Sequence, residues 1–251
     1  MLSLKLPARR RGKDEGEKPF WISFADMMSA LMVLFLVAMT VALLAVTKKV
    51  SEAEREETER TEAIQSVMRN LGMLSRQPSL ATIRVDGNTI DLGKEAIFEK
   101  EGQYALSPLQ RERIRAFLPE LLRELRSNKK AEKWFKRAVV EGYASRTGSY
   151  LFNLNLSLRR SERVLCELLL ADSGSTPLPF DDRKFIAQRF FVGGASFNEL
   201  KDSQDALSRR IQFKLEFKTR QELKEEEKRK PEGLSNEELA KALNPQEKCP
   251  I

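Results

Sequence analysis

Histidine is absent from this chain of 251 residues, which removes Ser-His-Asp and Cys-His catalysis, His-ligated zinc and any imidazole proton shuttle. Proton chemistry is left to carboxylates and amines. Cysteine is nearly absent: Cys166 and Cys249 are too few for a thiolate zinc site. Cys166 falls on the apolar stripe of a predicted helix and Cys249 in a polar tail, so both are expected to be unpaired thiols. No cofactor is expected. A strong charge bias is also lacking, since 44 Lys and Arg stand against 37 Asp and Glu, a net +7, with bases and acids interleaved almost everywhere. That pattern describes a solvated surface rather than a nucleic-acid footprint, and no direct nucleic-acid partner is expected. Long apolar runs are equally scarce. With 41% hydrophobic and 32% charged residues the chain cannot cross a membrane many times, and its length accommodates one domain with accessories or two small ones.

One segment breaks this character. Phe20 to Val46 holds a single charge, and as a helix it is about 40 Å long, enough to cross a bilayer with some tilt. No small-residue cleavage site follows; Lys48 and Lys49 lead into an acidic stretch, so residues 20–46 are predicted to be an uncleaved transmembrane anchor. Lys5, Arg9, Arg10, Arg11, Lys13 and Lys18 precede it, which puts leader 1–19 in the cytoplasm and everything after residue 50 outside, in the periplasm of a bacterium with an inner membrane. Asp26 is the exception within the run. A membrane aspartate costs roughly 2.5–3.5 kcal/mol on insertion scales, and Ser23, Ser29 and Ala30 flank it at helical spacing as a narrow small-and-polar strip. Such a strip lets a second helix or a water-filled path reach the carboxylate.

Residues 47–80 are charged and rich in helix formers, with Ile64, Val67, Leu71 and Leu74 spaced as an apolar seam. They are predicted to be a helical periplasmic linker, either a solvated spacer or a dimerising neck. Globular texture begins at Ala81. Asp86-Gly87-Asn88 between alternating strands marks a hairpin, Ser107-Pro108 opens a helix in which Pro119 is placed to kink, and 138–143, 189–193 and 209–217 read as strands around a second helix at 153–170. The predicted fold over 81–218 is an α/β open sandwich of order β-α-β-α-β-β. Residues 219–251 are predicted to be a charged, mobile tail with one capped helical stretch from Ser235 to Leu243 and no assigned role.

The segment Phe20-Trp21-Ile22-Ser23-Phe24-Ala25-Asp26-Met27-Met28-Ser29-Ala30-Leu31-Met32 resembles the single membrane helix of MotB-type stator proteins: an aromatic patch, Ala-Asp, then a Met-rich small-residue stretch. The resemblance implies that Asp26 carries the translocated ion, a proton with sodium as the alternative, between a homodimer of this chain and a ring of MotA-like subunits. Within the later domain, Gly142-Tyr143-Ala144-Ser145, Gly148-Ser149, Phe152-Asn153, Leu156-Ser157, Arg159-Arg160-Ser161, Val164 and Ser208-Arg209-Arg210-Ile211 resemble the signatures of OmpA-like peptidoglycan-binding domains. That likeness implies a wall-binding set of Ser145, Phe152, Asn153, Leu156, Arg160 and Arg209, with Arg160 as the ligand arginine. Its usual aspartate partner corresponds to Ser145, which offers no countercharge to a ligand ammonium, so either affinity for free diaminopimelate is expected to be lower or another acid, such as Glu141, must help.

The two modules together resemble stator proteins, and the short leader, the Phe-Trp-Ile-Ser-Phe-Ala-Asp segment and the divergent OmpA-like domain resemble the ZorB family of Zorya anti-phage systems. That resemblance implies a non-enzymatic, wall-anchored subunit of an ion-driven rotary motor inside a ZorA ring. A flagellar MotB-type stator subunit and a purely structural tether between membrane and peptidoglycan are the alternatives.

Overall fold

The computed structural model describes residues 18–93, 97–170, 176–200, 205–228 and 234–251. The leader expected at 1–19 lies outside them up to residue 17. Two compact units divide the chain, one ending at Arg55 and one running from Glu56 to Ile251.

Helix α1 spans Lys18–Met73. Within the first unit every side chain from Phe20 to Val50 is exposed, apolar ones included, and the helix is long and apolar enough to cross a membrane. Its hydroxyls are turned inward: Ser29 donates to the Ala25 carbonyl and Thr40 to the Val37 carbonyl, both at 2.8 Å, which hides polar hydrogens from a lipid environment.

The second unit is built on a five-stranded sheet. Strands β1 (Arg84–Asp86) and β2 (Thr89–Asp91) form the expected hairpin around Gly87, whose φ of +54° suits glycine. Helices α2 (Pro108–Ser127) and α3 (Lys129–Trp134) lead into β3 (Phe135–Gly142), then α4 (Tyr150–Leu169), α5 (Phe180–Arg189), β4 (Phe190–Gly194), the short α6 (Asp205–Ser208) and β5 (Ile211–Phe217). Strand order is β1-β2-β5-β3-β4, with only β3 and β4 parallel. The mixed α/β class therefore stands, and the expected β-α-β-α-β-β series gains a strand from the hairpin and the short helices α3, α5 and α6. Ser107 and Gln110 cap α2 reciprocally, and the helix continues through Pro119 without a break.

Alternation along the strands explains the layering. Ala138, Val140, Ile211, Phe213 and Leu215 are buried in one core with Phe117, Leu121, Leu125, Val164 and Leu168 of the helices. The intervening residues form ion pairs on the other face, such as Arg137–Glu216 at 2.7 Å. Helix α4 lies very close to the sheet. A Cβ on Gly142 would come within 1.9 Å of the Ser157 carbonyl oxygen, so only glycine lets strand and helix approach this far.

Three expectations are corrected. Of the seam in 47–80, Val67, Leu71 and Leu74 are buried in the core of the chain's own domain and Ile64 packs half-buried against it; the Arg60 Nε donates to the Lys218 carbonyl and the Asn70 amide to Glu124. From Glu56 onward the helix is part of the globular unit, because its narrow apolar stripe finds cover there. The tail beyond residue 218 is not a loose appendage either. Helices α7 (Arg220–Lys228) and α8 (Asn236–Ala242) form, Arg220 and Lys224 pair with Glu56, and Lys184 bonds Asn236. Cys166 and Cys249, expected as free thiols, are joined by a disulfide across a sequence separation of 83. Composition reported the tail's polarity; it could not report that its charges have partners far away in the chain.

Candidate functional site

The first candidate site is the carboxylate of Asp26. On α1 the side chains of Ser23, Ser29 and Ala30 lie within about 60° of Asp26 around the helix axis, three residues before, three after and four after. All four positions are exposed, and the remaining circumference from Met27 to Val46 is Met, Leu, Val, Phe, Ala and Thr. The strip expected from the sequence therefore exists as one helical face. Small neighbours leave room for another chain's backbone to approach the carboxylate.

The second candidate site lies where β3 ends and α4 begins. Ser149 caps α4 by accepting from the Phe152 amide, and the Asn153 Nδ2 donates to the Thr147 carbonyl at 2.9 Å, pinning the loop between strand and helix. Arg160 projects from the buried face of α4 and is fully enclosed. Its Nε donates to the Gln103 carbonyl (2.8 Å), its Nη1 to the Tyr143 carbonyl (2.6 Å), and its guanidinium sits 4.5 Å from the Phe98 ring centroid. Arg209 reaches the same loop, its Nε on the Phe98 carbonyl and its Nη2 on that of Glu99. Burial, with the Arg209 charge adding to it, pulls the Arg160 guanidinium down to about 10. Its Nη2 is buried and has no hydrogen-bond partner. Arg160 and Arg209 thus sit side by side, donating to the backbone carbonyls of Phe98, Glu99, Gln103 and Tyr143.

Of the six wall-binding positions expected from sequence, Ser145, Asn153, Leu156, Arg160 and Arg209 are buried and Phe152 alone stands out, 55% exposed. Leu156 and Asn153 thus hold the site's frame. Phe152 lies against Gly148, whose φ of +99° favours glycine; a Cβ there would come 3.2 Å from the ring, a contact a small shift of the exposed ring would relieve. Glu141 does not serve as the missing acid. Its carboxylate accepts from the Tyr143 hydroxyl at 2.6 Å and pairs with Lys214 at 2.7 Å on the outer sheet face, while Arg160 comes from the helix side. Burial together with that carboxylate pushes the Tyr143 phenol above its ordinary value. The acid that does reach the β3–α4 loop is Glu101, which accepts from the Thr147 hydroxyl at 2.9 Å. Sequence reasoning missed Glu101, Gln103 and Phe98, because the loop at 97–107 has no periodic pattern and only the fold brings it against α4.

The family described as membrane MotB of the proton-channel complex MotA/MotB matches residues 8–56. Among solved structures, the cell wall anchor of the T6SS from Pseudomonas aeruginosa is 15% identical, covering 59% of this chain and 97% of that one at a TM-score of 0.40. A putative MotB-like protein from Desulfovibrio vulgaris is 17% identical, covering 64% and 96% at a TM-score of 0.39. The Zorya protein ZorB of Escherichia coli O139:H28 (strain E24377A / ETEC) is 39% identical over 214 residues, spanning 83% of this chain and 85% of the relative. At that identity and coverage, with a MotB-type membrane segment at its N-terminal end, the chain belongs to the ZorB family.

Proposed function

We propose that this chain is the wall-anchored subunit of a proton-driven stator motor acting in anti-phage defence, with Asp26 as the ion carrier and a MotA-like ring, ZorA in that family, around a homodimer of it. The observation that carries the reading is Asp26 itself, the only charge between Phe20 and Val46, set on a strip of Ser23, Ser29 and Ala30. A carboxylate there changes its contacts with a ring subunit each time it gains or loses a proton. The membrane potential supplies about 2.3 kcal/mol per charge per 100 mV, enough to bias a small step. No covalent chemistry is asked of this chain. Sodium is the alternative coupling ion.

A motor subunit needs a fixed post, and the uncompensated guanidinium of Arg160 supports peptidoglycan as the anchor, since stem peptides carry free carboxylates. The basic leader supports a cytoplasmic N-terminus in the inner membrane, and the Cys166–Cys249 disulfide supports a periplasmic domain, because such bonds persist in oxidising compartments.

Asp26→Asn keeps the shape and removes the titratable proton. The expected outcome is normal insertion and partner capture with complete loss of phage protection. Full protection by this variant would leave only a structural tether.

A further inference from the structure

The loop from Phe98 to Leu106 lies over the guanidinium of Arg160 and has the build of a flap. Phe98 and Leu106 are buried at its two ends, whereas Glu99, Lys100, Glu101, Gly102 and Ala105 between them are exposed. The tip is a self-contained turn. The Gln103 amide donates to the Lys100 carbonyl at 3.3 Å, and the Gln103 side chain accepts from the Lys100 amide at 3.2 Å and donates to the Ala105 carbonyl at 3.1 Å. Gly102, at a φ of +72°, completes the bend. A segment that satisfies its own backbone and has its apolar anchors at its ends can move as one body.

The flap is fastened to the rest of the domain by polar contacts. Gln103 offers its carbonyl to the Arg160 Nε at 2.8 Å, Glu99 its carbonyl to the Arg209 Nη2 at 2.8 Å, and Glu101 accepts from the exposed Thr147 hydroxyl at 2.9 Å. The contact with Arg160 is chemically half-filled. Nε and Nη2 are the neighbouring nitrogens whose N–H groups point the same way and receive the two oxygens of a carboxylate side by side. The single Gln103 carbonyl occupies Nε, and Nη2 beside it is buried with no hydrogen-bond partner. The charge that acts on this guanidinium is that of Arg209, of like sign. Because Arg160 is 0% exposed, a ligand carboxylate reaches the fork only by displacing that carbonyl.

We propose that residues 99–105 are a lid on the wall site, and that a peptidoglycan carboxylate binds by replacing the Gln103 carbonyl on the Nε and Nη2 of Arg160. The lid rests on the wall-binding reading of Arg160 and adds its regulation. A carboxylate makes two charge-assisted bonds where the carbonyl makes one, so its differential affinity for the open form shifts the lid toward opening. Without ligand the closed form prevails, and the apparent affinity is lowered by the fraction of chains that are open. Attachment is thereby reserved for places where wall carboxylates are concentrated.

Retention of the full chain, in detergent micelles, on purified sacculi tests the lid through two variants that loosen it without touching Arg160. Gly102→Val strains the closed turn, since a β-branched residue is disfavoured at a φ of +72°, while an added Cβ meets nothing within 4 Å. Thr147→Val keeps the shape and removes the fastening to Glu101. Each should raise retention about threefold or more by enlarging the open fraction, and adding Arg160→Ala to either should abolish the gain. Both positions are exposed, so the unfolding temperature should hold; if one variant lowers it, the other decides. Unchanged or lower retention in a folded variant overturns the lid, as does a gain that survives Arg160→Ala. Wild-type retention that falls with Arg160→Ala while the loosened variants gain nothing sinks the lid alone and leaves wall binding standing. No retention of wild type or of either variant overturns both.

Discussion

Helix α1 puts two kinds of apolar residue on one element. Leu44, in the first unit, is 71% exposed, and every residue from Val41 to Val46 around it is apolar; Leu71, in the second, is 1% exposed and shares its turn with Asn70 and Arg69. Apolarity on all sides marks a lipid solvent, whereas a narrow stripe marks a single protein surface to be covered. The same residue type thus reports two environments, and its pattern rather than its count tells them apart.

The largest expected effect falls on the membrane unit. Asp26→Asn should abolish protection outright, and Asp26→Glu, which keeps the charge but moves it by about one methylene, should retain part of it, as plaque counts on matched strains would register. An equal and complete loss in both would mean that shape rather than titration matters there.

Wall attachment comes next. Arg160→Ala should drop retention on purified sacculi at least tenfold, since charge-assisted contacts are worth about 1.5–3 kcal/mol. Arg159→Ala, on the same helix with its guanidinium stacked on Tyr104, is the control and should change retention little. Equal losses would make the effect one of general basicity.

Leu71→Ala sharpens the comparison within α1. Removing a fully buried leucine should cost about 2–5 kcal/mol of the second unit's stability, read as a lowered unfolding temperature of the full chain. Leu44→Ala should leave that transition where it is. A neutral Leu71→Ala would argue that the helix leaves the domain in solution.

Reducing the Cys166–Cys249 bond, or Cys166→Ser, should cost about 2–4 kcal/mol, because the loop it closes is long. Differential scanning with and without reductant measures this. A thiol that is freely labelled in intact cells would contradict both the bond and the periplasmic placement.

The smallest effect concerns α7. Glu222 is held down to about 2 from 4.5 by its hydrogen bonds to Lys136 and to the Thr219 backbone and hydroxyl. Its folded value is depressed, so its contribution is present above pH 4.5 and fades as pH falls toward 2. Standing at the surface, where solvent screens it, it should shift the acid limb of the stability profile only slightly, and Glu222→Gln should remove that shift.

Local chemistry made much of this molecule legible. The apolar run with Asp26, the hairpin at Gly87, the caps at Ser107 and Ser235, and the alternation of Ile211, Phe213, Leu215 and Phe217 all depend on near neighbours in the chain, and each occurs where the periodicity puts it. What stayed hidden needed distant partners. The stripe at Val67 and Leu71 is visible, but not which surface covers it; Cys249 and Glu56 are visible, but not Cys166 or Arg220 beside them.

By itself, then, the sequence determined the membrane helix with its single carboxylate, the mixed α/β class and the arginine-bearing face of α4, because apolar periodicity and turn chemistry act over a few residues. The tertiary structure alone decided that 56–73 belongs to the domain, that the tail is tied down, that Glu101 rather than Glu141 approaches the β3–α4 loop, and that the carbonyls of Gln103 and Glu99 meet Arg160 and Arg209. Those outcomes depend on strand register and helix docking, which bring together residues from about fifty to more than a hundred positions apart and leave no periodic trace in the chain.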